Sequence, residues 1–280
     1  MVEVESGSEQ SGFVSGSNLA HVKGTAEPAL EDITISSFLA RTVSRHGNRD
    51  ACIFSEFGER WTWDQLSQKV DQLSAGLLAL GIYKGERVGI WAPNRPEWVL
   101  TQFATARIGA ILVNINPAYR RTELEYALAK SGAKALITAE TFKTSNYLEM
   151  LQDLAPELTS CRPGQLAAAR LPSLKSVIHM GDDEVDGMFR FKDIVMQDNA
   201  GQRARLDAIG RMLSAVDAIN LQFTSGTTGS PKAATLTHRN VVNNARFVAN
   251  SMRLNHKDRL CIPVPLYHCF GMVLGNLACV

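Results

Sequence analysis

Ala218-Ile219-Asn220-Leu221-Gln222-Phe223 runs directly into Thr224-Ser225-Gly226-Thr227-Thr228-Gly229-Ser230-Pro231-Lys232. The first stretch reads as a short buried strand. Ala233-Ala234-Thr235-Leu236-Thr237 reads as a second strand, with a helix after it, so the residues between form a strand-to-strand connection. Gly226 and Gly229 let the backbone approach a bulky anion without Cβ clashes. Successive N–H groups in such a turn converge into an anion nest. Thr224, Ser225, Thr227, Thr228 and Ser230 add rotatable hydroxyl donors, and Lys232 brings a point charge. A surface turn rich in small residues is the plainer alternative, but it needs neither that hydroxyl density nor the terminal lysine. The pattern therefore points to phosphate binding. It is not a Gly-Lys-Ser/Thr loop opening a helix, because Pro231 precedes the lysine and Ala233 follows it.

Upstream of this connection, strands and helices alternate. Leu66, Val70, Leu73, Leu77 and Leu80 form one helical stripe over Asp64 to Leu80. Arg87 to Trp91 reads as a strand, Glu97 to Ile108 as a helix with Pro96 in its first turn, and Ala110 to Ile115 as the next strand. Thr122 and Glu125 have capping-box spacing for a further helix closed by Gly132, and Lys134 to Thr138 is another strand. This alternation predicts a layered α/β domain with parallel strand pairing and flanking helices. Ala51 to Ser55 and Trp61-Thr62 read as a hairpin. Asp153 to Asp217 reads as connecting structure with one possible strand at Leu174 to His179. Downstream, Val241, Val242, Ala245, Val248, Ala249 and Met252 mark a helical face, and Leu260 to Val264 reads as a strand.

Composition bounds the function. The chain has 280 residues with a net charge of +1, which suggests neither a nucleic-acid surface nor an acidic partner. Residues 1–30 read as a disordered or extended tail and 31–280 as the folded domain. Residues 1–20 hold no Lys or Arg, unlike a secretory signal or a mitochondrial presequence. No apolar run reaches the length of a membrane span. Cys52, Cys161, Cys261, Cys269 and Cys279 form an odd set without a C-x-x-C pair, which fits a reduced, cytoplasmic setting. Cys261, His268 and Cys269 match no zinc spacing, and Asp182-Asp183-Glu184 reads as a solvated acidic loop rather than a Mg²⁺ site.

Phe223 to Lys232 resembles the signature loop of the adenylate-forming enzymes, which include acyl-CoA synthetases, luciferases and peptide-synthetase adenylation domains. Trp61-Thr62-Trp63-Asp64-Gln65-Leu66, Trp91-Ala92-Pro93-Asn94 and Asn116-Pro117-Ala118-Tyr119 are similar to further segments of that family. The resemblance covers about Ile33 to Val280, with Ala233 where the family usually has glycine. Pro265-Leu266-Tyr267-His268-Cys269-Phe270-Gly271 resembles the Pro-x-x-His-x-x-Gly segment that lines the acyl pocket in the acyl-CoA synthetase and luciferase branch. A lone histidine of this kind is otherwise a satisfied core residue.

The resemblance implies the N-terminal domain of an adenylate-forming enzyme with ATP, Mg²⁺ and coenzyme A as co-reactants. Thr224 to Lys232 would hold the triphosphate, with Lys232 and His268 catalytic and His268, Phe270 and Gly271 at the acid. The segment favours a plain carboxylic acid, closest to the fatty acid–CoA ligases, with aromatic-acid and luciferase-like branches still open. The family's later adenine, magnesium and ribose segments and its mobile C-terminal domain have no counterpart in this sequence. The resemblance therefore implies a truncated chain that is inactive by itself, or one that only binds nucleotide or a partner. The apolar Phe270 to Val280 is expected to expose several large side chains.

Overall fold

Apolar stretches punctuated by glycine build the core. The computed structural model describes residues 27–195, 200–224 and 231–280. The chain divides into two units, Met1–Leu30 and Glu31–Val280, and the architecture that follows belongs to the second. In chain order it runs α1 (Ile35–His46), β1 (Asp50–Phe54), β2 (Glu59–Thr62), α2 (Trp63–Ala79), β3 (Arg87–Trp91), α3 (Pro96–Ile108), β4 (Ile111–Asn114) and α4 (Arg121–Ser131). Next come β5 (Ala135–Thr138), β6 (Thr141–Phe142), β7 (Ser145–Asn146), α5 (Tyr147–Leu154), β8 (Ser176–His179), β9 (Met188–Arg190) and α6 (Phe191–Ile194). The order closes with α7 (Ala200–Arg211), β10 (Ala218–Thr224), β11 (Lys232–Thr237) and α8 (His238–Ser251).

A seven-stranded sheet in the order β11-β10-β4-β3-β5-β8-β9 organises the unit. All neighbours are parallel except β11, which pairs antiparallel with β10 at the edge. Every residue of β5 and of β8 is buried, as expected of parallel strands covered on both faces. The α/β layering expected from the strand–helix alternation is therefore present, as is the β1–β2 hairpin.

Local chemistry explains the helix ends. The Thr62 side chain accepts from Gln65 N at 3.2 Å while Gln65 Oε1 accepts from Thr62 N at 2.9 Å, so the early Trp-Thr-containing segment is a reciprocal cap for α2. Pro96 opens α3, and α4 ends at Gly132 in the left-handed region, φ 60°.

Four expectations are corrected. Helix α4 is capped two residues earlier than Thr122: its cap is Arg120, whose N–H donates to Glu123 Oε2 at 3.1 Å. Glu125 instead accepts from Arg170 at 2.9 Å. Leu260 to Val264 forms no strand, because Pro263 and the adjacent Pro265 lack the N–H groups a ladder requires. Asp153 to Asp217 is more than a connection, since it contributes β9 to the sheet and α7 against α3. Helix α7 escaped notice because it buries only Leu206 and so carries almost no apolar stripe. Finally, the segment from Phe270 onward is packed rather than exposed: Met272, Val273 and Leu277 are buried, and Phe270 alone of its large side chains is strongly exposed, at 54%.

Candidate active site

Strand β10 lies beside β4 with Asn220, Leu221 and Gln222 opposite Leu112, Val113 and Asn114. It delivers Thr224 to the C-terminal edge of the parallel sheet, the edge at which open α/β sheets bind ligands. There the chain returns as β11, with Thr224 opposite Lys232. Thr224 Oγ1 donates to the Lys232 carbonyl at 3.4 Å, and the Tyr126 hydroxyl of α4 donates to the Pro231 carbonyl at 3.0 Å. Both ends of the connection are thus pinned, with Thr224 and Lys232 exposed to solvent and Pro231 half-buried. Ser225, Gly226, Thr227, Thr228, Gly229 and Ser230 lie outside the described residues. Ala233 takes an ordinary ladder position opposite Phe223, where a methyl group fits.

The second candidate element is the turn at Pro265 to Gly271. The His268 N–H donates to the Pro265 carbonyl at 3.2 Å, and the His268 carbonyl accepts from Met272 N at 3.0 Å. Phe270 N donates to His268 Nδ1 at 3.1 Å. An accepting Nδ1 leaves the proton of the neutral ring on Nε2, so this exposed histidine presents an N–H donor. A Cβ built on Gly271 would lie 2.3 Å from the Pro265 oxygen. The spacing of Pro265, His268 and Gly271 therefore describes one tight turn. It opens into a π-helix, Phe270–Asn276, a rare form that recurs at functional sites.

Buried amides fasten this turn to the sheet. Asn220 Nδ2 donates to the Leu112 carbonyl at 3.0 Å and to Asn114 Oδ1 at 2.9 Å. Asn114 Nδ2 reaches Gln222 Oε1 and the Tyr267 carbonyl, both at 3.1 Å. Gln222 Nε2 donates to the same Tyr267 carbonyl at 3.0 Å, and Cys269 Sγ donates to Gln222 Oε1 at 3.5 Å. Burial raises the Cys269 thiol pKa, so it remains a neutral donor. Asn94, just past β3, clamps the approach: its Nδ2 donates to the Val264 carbonyl at 2.9 Å and its Oδ1 accepts from Leu266 N at 2.8 Å. None of these amides was singled out from the sequence as a site residue. The available signal was a polar amide inside an apolar strand, at Asn114, Asn220 and Gln222.

Pro265, Leu266 and Tyr267 line a groove of about 1380 Å³ shared with Asn94, Cys52 and Asn276. His268, Phe270 and Gly271 do not line it. Among the described residues no group of three or more His, Cys, Asp or Glu side chains is arranged to hold a metal ion.

A family model described as AMP-binding enzyme matches residues 39–280. The chain belongs to the AMP-binding enzyme family. It is 43% identical over 260 residues to the medium-chain acyl-CoA ligase ACSF2, mitochondrial, of Danio rerio, a match covering 92% of this chain and 43% of that protein. The human protein of the same name is 41% identical over 266 residues, covering 93% and 43%. The chain thus spans less than half the length of the curated relatives it matches. A crystal structure of the anthranilate CoA ligase AuaEII in complex with anthranoyl-AMP superposes with a TM-score of 0.72 at 24% identity, over 88% of this chain and 43% of that one. That likeness establishes the fold, and with it the parallel sheet whose edge carries Thr224 and Lys232.

Proposed function

We propose that this chain supplies the triphosphate-binding and acid-orienting part of an ATP-dependent carboxylic acid–CoA ligase, with a fatty acid as the preferred acid. The observation that carries the reading is the hairpin closure of Thr224 against Lys232 at the sheet edge. Gln222, two residues before Thr224, holds the carbonyl preceding His268. In the proposed reaction a carboxylate oxygen attacks the α-phosphorus of ATP and pyrophosphate leaves. The acyl group then passes to the thiol of coenzyme A with release of AMP. The donor chemistry fits a triphosphate: Thr224 offers a hydroxyl and Lys232 an ammonium, flanking the glycine-rich stretch. Charge grows on pyrophosphate as it departs, so a fixed cation there favours the transition state. His268, with its proton on Nε2, has the right donor to orient a carboxylate, and Phe270 and Gly271 flank it on the acid side. Mg²⁺ accompanies ATP in this reading, and no described residue is assigned to it.

The preference for a fatty acid draws on the acyl-CoA ligase relatives and on the apolar Met272, Val273 and Leu274 beyond the turn. The cytoplasmic setting rests on the five cysteines, all unpaired; the names of the fish and human relatives place those proteins in mitochondria. No helix among the described residues is long and apolar enough to cross a membrane.

Titration calorimetry of Mg-ATP into the chain tests the reading against its Lys232→Ala variant. Loss of a charge-assisted contact worth ~1.5–3 kcal/mol weakens binding roughly ten- to a hundredfold. Equal affinities in the two proteins overturn the phosphate assignment. Binding without ATP–pyrophosphate exchange, in the presence of fatty acid, instead identifies a nucleotide-binding chain without ligase chemistry.

A further inference from the structure

We infer that the Gln222–Asn114 amide pair is a positioning device that locks the His268 turn, and with it the ring tautomer of His268, to the strand leading into the phosphate loop. The functional weight of this inference rests on the reading of His268 as acid-facing.

The argument starts from cost. Asn114, Asn220 and Gln222 are 1%, 3% and 7% exposed, within strands whose other buried residues are apolar. Burying an amide is unfavourable unless its hydrogen bonds are replaced, and an apolar residue of similar size would fill a parallel strand at less cost. Side chains two apart on a strand share a face, so Asn220 and Gln222 point the same way, and Asn114 is the register partner of Gln222. The chain of donation then runs in one direction, from Asn220 to Asn114, from Asn114 to Gln222, and from both Asn114 and Gln222 to the Tyr267 carbonyl.

That carbonyl belongs to the peptide bond whose nitrogen is His268 N. Two amides converging on one oxygen fix the peptide plane from which the His268 side chain departs. Cys269, the residue after His268, is held to the same Gln222 side chain through its thiol, so the residues on both sides of the histidine refer to one anchor. With the backbone so held, Phe270 N lies in reach of His268 Nδ1. The turn and Gln222 are 45 residues apart in the chain. Their spatial relation is therefore set by these side chains rather than by local chain geometry. Movement of the β10 end that carries Thr224 is transmitted to His268 through bonds of about 3 Å rather than absorbed by a loop.

Nuclear magnetic resonance of the chain labelled at histidine nitrogens and backbone amides tests this without any added nucleotide or acid. The outcome is thus independent of whether Lys232 binds phosphate. In the unmodified chain the side-chain NH₂ groups of Gln222 and Asn114 are expected to exchange at least about tenfold more slowly than those of exposed amides, and His268 to show the Nε2–H tautomer. Gln222→Met keeps length and removes the three hydrogen bonds of that side chain. It is expected to shift His268 toward a tautomer mixture and to speed exchange of the Phe270 amide at least about tenfold, leaving the Gly89 and Ile90 amides of β3 protected. Asn114→Leu should act in the same direction, and the double variant by less than the sum of the two. Unchanged His268 nitrogen shifts and Phe270 exchange in Gln222→Met overturn the inference. So does a loss of protection that is uniform across β3 and the turn, which marks a purely structural amide. If either variant fails to fold, fast exchange of the Gln222 and Asn114 side-chain amides in the unmodified chain overturns it on its own.

Discussion

Replacing Gly271 by alanine adds one methyl group at the tightest point of the candidate acid site. The new Cβ would stand 2.3 Å from the Pro265 oxygen, 2.7 Å from its carbon and 2.9 Å from Leu266 Cα. All three are backbone atoms, so no rotamer change relieves the overlap. The turn must open, and the bond from His268 N to the Pro265 carbonyl lies directly in its path. Overpacking of this kind costs ~1–3 kcal/mol. For a chain of this size each kcal/mol lowers the melting temperature by about 2–4 °C, which gives a drop of roughly 2–12 °C for Gly271→Ala. A matched control is Gly210→Ala in α7, where the nearest heavy atom is the end of a side chain, Arg107 Nη1, at 3.1 Å. There the gain in helix propensity, ~0.5–1 kcal/mol, works in favour of folding. Thermal unfolding followed by circular dichroism compares the two. Gly271→Ala melting at or above the unmodified chain refutes the close-packed turn. A fall in both variants refutes the distinction between backbone and side-chain neighbours.

Two further outcomes follow from the same packing. His238 is fully buried with Nδ1 accepting from Ile35 N at 3.1 Å, and burial, partly opposed by Asp217 and reinforced by Lys84, holds its pKa down at about 4. The unfolded chain takes up that proton near the ordinary value of about 6.5, so stability is full above it and falls as pH drops towards 4, by about 3 kcal/mol. Urea titrations of His238→Gln should show a flatter dependence in that window; an unaltered slope refutes the assignment. Asn94→Ala should lower stability by about 1–3 kcal/mol by leaving the Val264 carbonyl and Leu266 N–H without their partner, read as a lower urea midpoint at unchanged slope.

Much of the sheet was legible because its strands are buried on both faces and its helices stop at glycine. Arg87 to Trp91 and Lys134 to Thr138 announce themselves as short apolar runs, and β10 with β11 as two such runs around a polar connection. What failed to show has physical reasons. Strand β9 has three residues at the far edge and follows Gly187, so no periodicity can develop. The Thr122–Glu125 spacing is genuine but idle: the backbone enters the helix at Arg120, so Glu123 takes the capping role and Glu125 faces Arg170. At the candidate site, the proposed phosphate loop and the Pro-x-x-His-x-x-Gly turn were singled out as residue types at fixed local spacing. The amides joining them were not, because Asn114 and Gln222 are 108 residues apart and local spacing carries no information about such a pair.

The chemistry of those joining groups sets how the site responds to its surroundings. A carboxylate or histidine at position 222 would hold the Tyr267 carbonyl only over part of the pH range, and a buried charge there would need a counter-ion. An amide carries donor and acceptor on one uncharged group, so the link from β10 to the turn keeps its geometry through the window in which His238 titrates. Acid should therefore weaken the fold through His238 at the start of α8 before it disturbs the seating of His268 on Gln222. The two are separable by measurement: the stability curve of the chain bends between pH 4 and 6.5, while the protection of the Gln222 and Asn114 side-chain amides, corrected for global unfolding, stays level across the same window.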